Sequence, residues 1–286
     1  MQRFDTTDAL REQLKVWRSA GECIALIPTM GNLHQGHVSL IDYVRPHVDR
    51  ICVSIYINPL QFNNAVDLER YPVTLDADQA CLQDAQIDAL FLPDAKAMYP
   101  YGVDQSVQVT VPILSDSLEG AFRPGHFTGV ATIVAKLLNI VQPDVAVFGE
   151  KDLQQYLLIR RMVSDLLMPI DIWSAPTVRD VDGLAMSSRN GYLTSSEREQ
   201  ASELYRVLSG IRIQWQDMTE VCDWRELEQS AFMHLQQHGW RPEYISIRHA
   251  DDLTEPTPDS GPVATGYCVL AAAWLGNTRL IDNIRL

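Results

Sequence analysis

Ile24-Ala25-Leu26-Ile27-Pro28-Thr29-Met30-Gly31-Asn32-Leu33-His34-Gln35-Gly36-His37 is the stretch whose reading decides the fold. Residues 23–27 are apolar at every position rather than at alternate ones. That is the pattern of a parallel strand buried on both faces. Pro28 is expected to stop the strand. Gly31 and Gly36 mark places where the backbone must turn sharply or admit a close neighbour. Beyond His37, the residues Val38, Leu40, Ile41 and Val44 have helical spacing, and Pro46 ends the pattern. Two imidazoles three residues apart therefore sit where a strand hands over to a helix. A helix N-terminus offers unpaired N–H groups and a partial positive charge, and both favour an anion. Two histidines added there suit a polyphosphate. A lone loop histidine is most often an ordinary loop residue; H-x-G-H behind an apolar strand carries more meaning.

The chain on either side repeats this strand-then-helix grammar. Residues 8–17 predict a helix with Leu10, Leu14 and Trp17 on one side. Residues 51–57 form a second β-rich run, which ends in the loop Asn58-Pro59-Leu60-Gln61-Phe62-Asn63-Asn64. A helix is expected over 75–85, a short strand over 88–92 and an edge strand over 105–111. Leu118-Glu119-Gly120-Ala121-Phe122-Arg123-Pro124-Gly125-His126-Phe127-Thr128-Gly129 reads as a loop opening a helix marked by Val130, Ile133, Val134, Leu137, Leu138 and Val141. A strand over 145–148 runs into Gly149-Glu150-Lys151-Asp152, then a helix over 154–167 and a strand over 170–174. Strands alternating with helices of this length predict an α/β fold, a Rossmann-like doubly wound parallel sheet. Ligands of such sheets lie at the carboxyl ends of the strands. The loops carrying His34 and His37, Asn58 and Gln61, and Lys151 and Asp152 are all of that kind.

The pattern changes near Pro176. A polar segment over 177–192 is followed by Thr194-Ser195-Ser196-Glu197, which fits a capping box. Helices to about residue 216 and over 224–238 come next, then strands over 244–248, 267–273 and 278–284. A Pro- and Asp-rich loop over 251–261 separates the first two strands. The expected organisation is a Rossmann-like domain over 1–176 and a smaller C-terminal α+β domain over 177–286.

Of the 286 residues, 46% are apolar and 21% charged, ample for a core. The formal net charge of −14 excludes bulk nucleic-acid binding, which needs a basic face. Cys23, Cys52, Cys81, Cys222 and Cys268 are widely spaced and contain no C-x-x-C, so they read as reduced packing residues. No run approaches a membrane span, and the start of the chain lacks an apolar signal region. A cytoplasmic protein without membrane or nucleic-acid partners is expected.

There is no G-x-x-x-x-G-K-[ST] loop and no G-x-G-x-x-G fingerprint. Nucleotide binding would rest on other groups. The H-x-G-H loop supplies two nitrogen donors, Lys151 an ammonium, and Ser187-Ser188-Arg189 two hydroxyls and a guanidinium whose fork suits phosphate oxygens. Asp78 could hold Mg²⁺ directly or through water. His234 and His238 lie four apart in a helix, but His-Leu-Gln-Gln-His lacks the Glu of a metalloprotease and reads as a solvated face. No Ser/His/Asp or Cys/His nucleophile set is evident.

Five ordered blocks resemble the pantoate–β-alanine ligase family, within the H-x-G-H nucleotidylyltransferase superfamily. They are Pro28 to His37, Ser54-Ile55-Tyr56-Ile57-Asn58-Pro59-Leu60-Gln61-Phe62, Arg123 to Val130, Phe148-Gly149-Glu150-Lys151-Asp152-Leu153-Gln154-Gln155, and Met186-Ser187-Ser188-Arg189-Asn190. A bare H-x-G-H is shared by several families; five blocks in order are far more specific. The resemblance implies a ligase with ATP as co-substrate, Mg²⁺ and no organic cofactor, acting as a homodimer. The carboxylate of (R)-pantoate would attack the α-phosphate, release pyrophosphate and leave pantoyl adenylate; β-alanine would then displace AMP.

The resemblance also implies residue roles. His34 and His37 bind phosphates, with His37 the family's proposed proton donor. Lys151 neutralises charge on the α-phosphate, and Ser187, Ser188 and Arg189 clamp the triphosphate as the small domain closes as a lid. Gly149, Asp152, Val178 and Met186 line the adenosine pocket, with Met30, Gly31 and Gly36 part of the ATP-binding loop. Gln61 and Gln155 hold pantoate, with Met30, Asn58 and His126 nearby. Asp78 matches an acidic residue on the magnesium side, although the preceding position, often acidic in relatives, is Ala77 here. The alternative is a nucleotidylyltransferase that adenylylates a phosphorylated acceptor. The amides Gln61 and Gln155, with no basic cluster beside them, favour a small hydroxy acid. A class I aminoacyl-tRNA synthetase fits the acidic chain less well, and a regulator without chemistry would not need Lys151, Arg189 and both histidines.

Overall fold

Strands apolar at every position can be satisfied only in the middle of a sheet with both faces covered, and this governs the first part of the chain. The computed structural model describes residues 1–63, 65–217, 223–257 and 266–286. The chain divides into two compact units, one of residues 1–150 and 155–176, the other of residues 151–154 and 177–286.

The first unit runs β1 (Gln2–Phe4), α1 (Thr7–Ser19), β2 (Ile24–Thr29), α2 (Gln35–Val44), β3 (Arg50–Ile55), α3 (Ala65–Arg70), α4 (Leu75–Asp84), β4 (Ala89–Phe91), α5 (Ala95–Met98), α6 (Glu119–Phe122), α7 (His126–Val141), β5 (Val145–Gly149), α8 (Leu153–Asp165) and β6 (Asp171–Ala175). Its sheet has the order β1-β4-β3-β2-β5-β6, with every pairing parallel. From β2 the chain steps outward through β3 to β4. It then returns to lay β5 and β6 on the other side of β2. The order therefore reverses between β2 and β5, where such sheets open a crevice. Ala25, Ile27, Val53, Leu90 and Val147 bury against Leu40, Ile41 and Val44 of α2 and Leu82 of α4.

Three local expectations are corrected. Pro28 does not stop β2, which continues to Thr29 with Pro28 opposite Ser54. The pairing of β2 with β5 covers only Ala25 and Leu26. Pro28 thus lies where the strand has one neighbour, and a missing donor is tolerated there. Residues 105–111 form no strand; Val109 N–H goes to Thr132 Oγ1 at 2.9 Å and Val111 N–H to Ser115 Oγ at 3.2 Å. Side chains satisfy those donors in place of a neighbouring strand. Finally, α7 starts at His126 rather than Val130, because Gly125 takes a left-handed conformation (φ +81°) that turns the chain into the helix early.

The second unit adds α9 (Ser195–Gln200), α10 (Glu203–Asp217), α11 (Trp224–Gln237), β7 (Arg241–His249), β8 (Tyr267–Leu275) and β9 (Thr278–Arg285). The strands pair antiparallel in the order β7-β8-β9. Thr194 and Glu197 form the capping box that starts α9. Leu204, Leu208, Ile211 and Trp215 recur at helical spacing along α10 and pack in one core with Val269, Ala271 and Ala273 of β8. The last part of the expected 251–261 loop lies outside the described residues. Cys23, Cys52, Cys81 and Cys268 are free thiols, and burial pushes the Cys52 thiol up to about 12, which makes it an inert packing group. Cys222 lies outside the described residues. No helix among the described residues is long and apolar enough to cross a membrane.

Candidate active site

The H-x-G-H loop leaves the carboxyl end of β2 and closes on itself. His34 is the N-cap of α2, and its Nδ1 accepts the Gly36 N–H at 3.1 Å. His37 Nδ1 accepts the His34 N–H at 3.3 Å. The two rings therefore form a reciprocal cap, with histidines in the roles that Ser and Glu fill in an ordinary capping box. A neutral ring whose Nδ1 accepts carries its proton on Nε2. Both imidazoles are thereby set as Nε2–H donors at a helix N-terminus, their centroids 4.2 Å apart. A pair of fixed donors on the positive end of a helix suits an anion.

The loop after β3 carries the amides. Asn58 is wholly buried. Its Oδ1 accepts the Tyr99 hydroxyl at 2.6 Å, and its Nδ2 donates to Gly129 O at 3.0 Å and Gln61 Oε1 at 3.3 Å. Every hydrogen-bonding atom of this side chain is engaged, so Asn58 stands behind Gln61 and orients it. With Oε1 held by Asn58, Gln61 Nε2 turns toward Met30 Sδ. His126 also serves Gln61: its Nδ1 lies 2.7 Å from Gln61 O and its Nε2 3.2 Å from Arg123 Nη1. A carbonyl can only accept, so Nδ1 carries the proton and Nε2 accepts from Arg123. Arg123 is in turn paired with the buried Glu119 at 3.2 Å.

Tyr99, Gly129 and Glu119 were not singled out from sequence as site residues. For Tyr99 the signal is absent, since an aromatic in a loop is ordinary. Burial keeps its phenol above its usual range, and it acts as a donor. The Lys136 ammonium sits 3.8 Å from its ring centroid and donates to Met98 O. Gly129 lets α7 approach the 59–61 turn: a Cβ there would collide with the Leu60 carbonyl and come within 2.6 Å of Gln61 N. Gly129→Ala must push this backbone away. The expected result is a loss of about 1–3 kcal/mol of stability, together with a raised KM for the ligand of Gln61. Unchanged melting temperature and KM would show that the helix and turn can separate freely.

Gly149 ends β5, and Gln155 lies in the first turn of α8. In the second unit, Lys151 is on a 3-10 turn and its carbonyl accepts Asn283 Nδ2 at 2.8 Å. Arg179 grips Asp282 with two bonds of 2.6 and 2.8 Å and also donates to Gly183 O and Asn283 O. Its guanidinium lies 4.2 Å from the Tyr205 ring centroid. Arg179 pairs with Ala185, and Met186 N–H returns to Val178 O, so 178–186 is a tight loop turned at Gly183. Ser187 then caps a 3-10 turn, its Oγ accepting the Arg189 N–H at 3.2 Å. Val178, Met186, Ser187, Ser188 and Arg189 are thus presented from one braced segment. The Arg179–Asp282–Asn283 network was not foreseen. Its signal was present: a charged and an amide residue in the middle of the apolar run of β9.

His234 and His238 stack at 4.1 Å, and His234 Nε2 contacts Glu203 Oε1 at 2.8 Å on the surface. No group of three or more His, Cys, Asp or Glu among the described residues could hold a metal ion.

The family model for pantoate-beta-alanine ligase matches residues 2–285. The chain belongs to the pantoate–β-alanine ligase family. A pantothenate synthetase of Alkalilimnicola ehrlichii is 50% identical over 288 residues, covering 100% of this chain and 98% of that relative. The crystal structure of pantothenate synthetase from Thermus thermophilus is 40% identical with a TM-score of 0.90, covering 100% and 99% of the two chains. The pantoate-beta-alanine ligase of Francisella tularensis, solved with beta-gamma ATP and beta-alanine, is 33% identical with a TM-score of 0.79, covering 100% and 97%. These likenesses span the Rossmann-like sheet and the smaller antiparallel unit alike. The five sequence blocks of a pantoate–β-alanine ligase fall, in this structure, on the loops described above.

Proposed function

We propose that this pantoate–β-alanine ligase joins (R)-pantoate to β-alanine through an enzyme-bound pantoyl adenylate. The observation that carries the reading is the pair of capped imidazoles at the β2 end, with the oriented amide of Gln61 at the neighbouring β3 end. A pantoate carboxylate oxygen attacks the α-phosphorus of ATP, and the bond to pyrophosphate breaks. The β-alanine amine then attacks the acyl carbon, loses its proton, and AMP leaves. No covalent enzyme intermediate is formed, so catalysis is positioning and charge stabilisation.

In this reading His34 and His37 donate from Nε2 to phosphate oxygens, and Met30, Gly31 and Gly36 shape the loop that carries them. Lys151 neutralises charge at the α-phosphate. Ser187, Ser188 and Arg189 are assigned to the triphosphate; Gly149, Asp152, Val178 and Met186 to adenosine. Gln61 and Gln155 are assigned to pantoate, with Asn58 and His126 fixing Gln61. Mg²⁺ would come bound to ATP and would offset phosphate charge, with phosphate oxygens and water as most of its ligands. The family resemblance supports a homodimer, and the free thiols support a reducing cytoplasm.

Pyrophosphate release from Mg·ATP with (R)-pantoate alone is the direct test. A burst near one per site, with turnover only after β-alanine is added, is expected. No pyrophosphate with pantoate would overturn the substrate assignment. Gln155→Ala should raise the KM for pantoate about ten- to a hundredfold, the effect of losing one hydrogen bond to a carboxylate, while ATP binding holds. Equal loss of both would leave Gln155 a support of the fold.

A further inference from the structure

We infer that Asp78 is a positioning residue for the H-x-G-H loop and not a magnesium ligand. Asp78 lies in the first turn of α4 and is 3% exposed. Its Oδ2 accepts the Asn32 N–H at 2.9 Å, and its Oδ1 accepts the Leu33 N–H at 2.8 Å and the Thr74 hydroxyl at 3.1 Å. Two successive backbone amides are thus chelated by one carboxylate, a charge-assisted arrangement. Oδ1 has both acceptor directions filled.

The reason for this clamp lies in the loop's backbone. Gly31 and Asn32 both adopt positive φ, +82° and +51°. Glycine takes that conformation freely and asparagine more readily than most residues, but neither is confined to it until its neighbours impose it. The clamp imposes it here by collecting the amides of residues 32 and 33. A Cβ at residue 31 would lie 2.9 Å from Asp78 Oδ2, so the carboxylate comes this close to the loop because residue 31 has no side chain. The hand-over along the loop is continuous. Gly31 N–H goes to Thr29 Oγ1, Asn32 and Leu33 N–H to Asp78, His34 N–H to His37 Nδ1, and Gly36 N–H to His34 Nδ1. Asp78 holds the residue next to His34, and the two rings cap each other, so the carboxylate sets where both Nε2 atoms stand.

This inference rests on the reading that both histidines face phosphate, and its test separates the two. The variant is Asp78→Asn, which keeps the shape but turns one acceptor into a donor facing an amide N–H. The measurements are ATP kinetics against free Mg²⁺, and calorimetric binding of inorganic pyrophosphate in the presence of EDTA. The melting temperature should fall, because one buried donor is left facing another, and in the folded enzyme kcat/KM for ATP should fall about ten- to a hundredfold, the cost of misplacing contact groups by about 1 Å. The Mg²⁺ concentration for half-maximal rate should not move, and metal-free pyrophosphate should bind more weakly by a similar factor. Thr74→Val, which removes one donor to Oδ1, should shift both readouts in the same direction to a smaller extent, and it carries the test if Asp78→Asn does not fold. A severalfold rise in the Mg²⁺ requirement with wild-type metal-free pyrophosphate binding would overturn the inference in favour of metal ligation. Unchanged values throughout would overturn it as well. Failure of wild-type protein to bind metal-free pyrophosphate would instead count against the phosphate role of the histidines.

Discussion

Replacing His37 by alanine lowers kcat/KM by about two to three decades, or about 3 kcal/mol of transition-state stabilisation, the scale for removing one preorganised donor. The truncation has two effects at once. It removes the Nε2–H donor, and it removes the Nδ1 that accepts the His34 N–H at 3.3 Å. His37→Asn separates them. An asparagine at the third helical position can still accept the N-cap amide, but its short side chain does not reach the place of Nε2. If capping were the whole contribution, asparagine would restore the rate. The expected result is a variant with near wild-type stability and the activity of the alanine variant. Steady-state kinetics at saturating pantoate, alongside thermal denaturation, reads both. Wild-type activity in His37→Ala would remove His37 from the mechanism.

Asp282→Ala is expected to have the largest effect on stability. The Arg179–Asp282 pair is bidentate, and its side chains are 17% and 3% exposed. Exchange of such a pair for apolar groups is often tolerated, but removal of one partner leaves a buried charge uncompensated, at about 3–5 kcal/mol. Asp282 Oδ1 also accepts the Asn283 N–H at 2.8 Å, and Asn283 holds the Lys151 carbonyl. The same substitution should therefore lower kcat as well as the urea midpoint. The double variant Arg179→Met/Asp282→Ala should regain much of the midpoint, because no charge is then stranded. A midpoint equal to wild type in Asp282→Ala would mean that water replaces the carboxylate.

How much of this was legible in sequence depended on the range of the physics involved. Apolar runs at 23–27, 51–57 and 145–148 announced buried parallel strands, because hydrophobic period is a local quantity. Thr194 and Glu197 announced a cap three residues apart. Residues 105–111 misled, since alternation describes a face and says nothing of whether a neighbouring strand exists. β1 was missed: three residues whose partner, β4, lies far along the chain carry no period of their own. Among the candidate residues, His34, His37, Gln61 and Lys151 stood out by residue type and position at strand ends. The bracing groups did not. Asp78 stood out by residue type alone, and a carboxylate suits a metal as readily as a pair of backbone amides.

The sequence by itself determined the α/β class and the family, because those rest on period, caps and ordered short blocks. Tertiary structure alone decided which side chains serve which. Asp78 and Asn32 are 46 positions apart, Gln61 and His126 65, and Lys151 and Asn283 132. A hydrogen bond acts over about 3 Å, so whether a buried polar group faces a ligand or holds a neighbour is settled only when the fold brings donor and acceptor together.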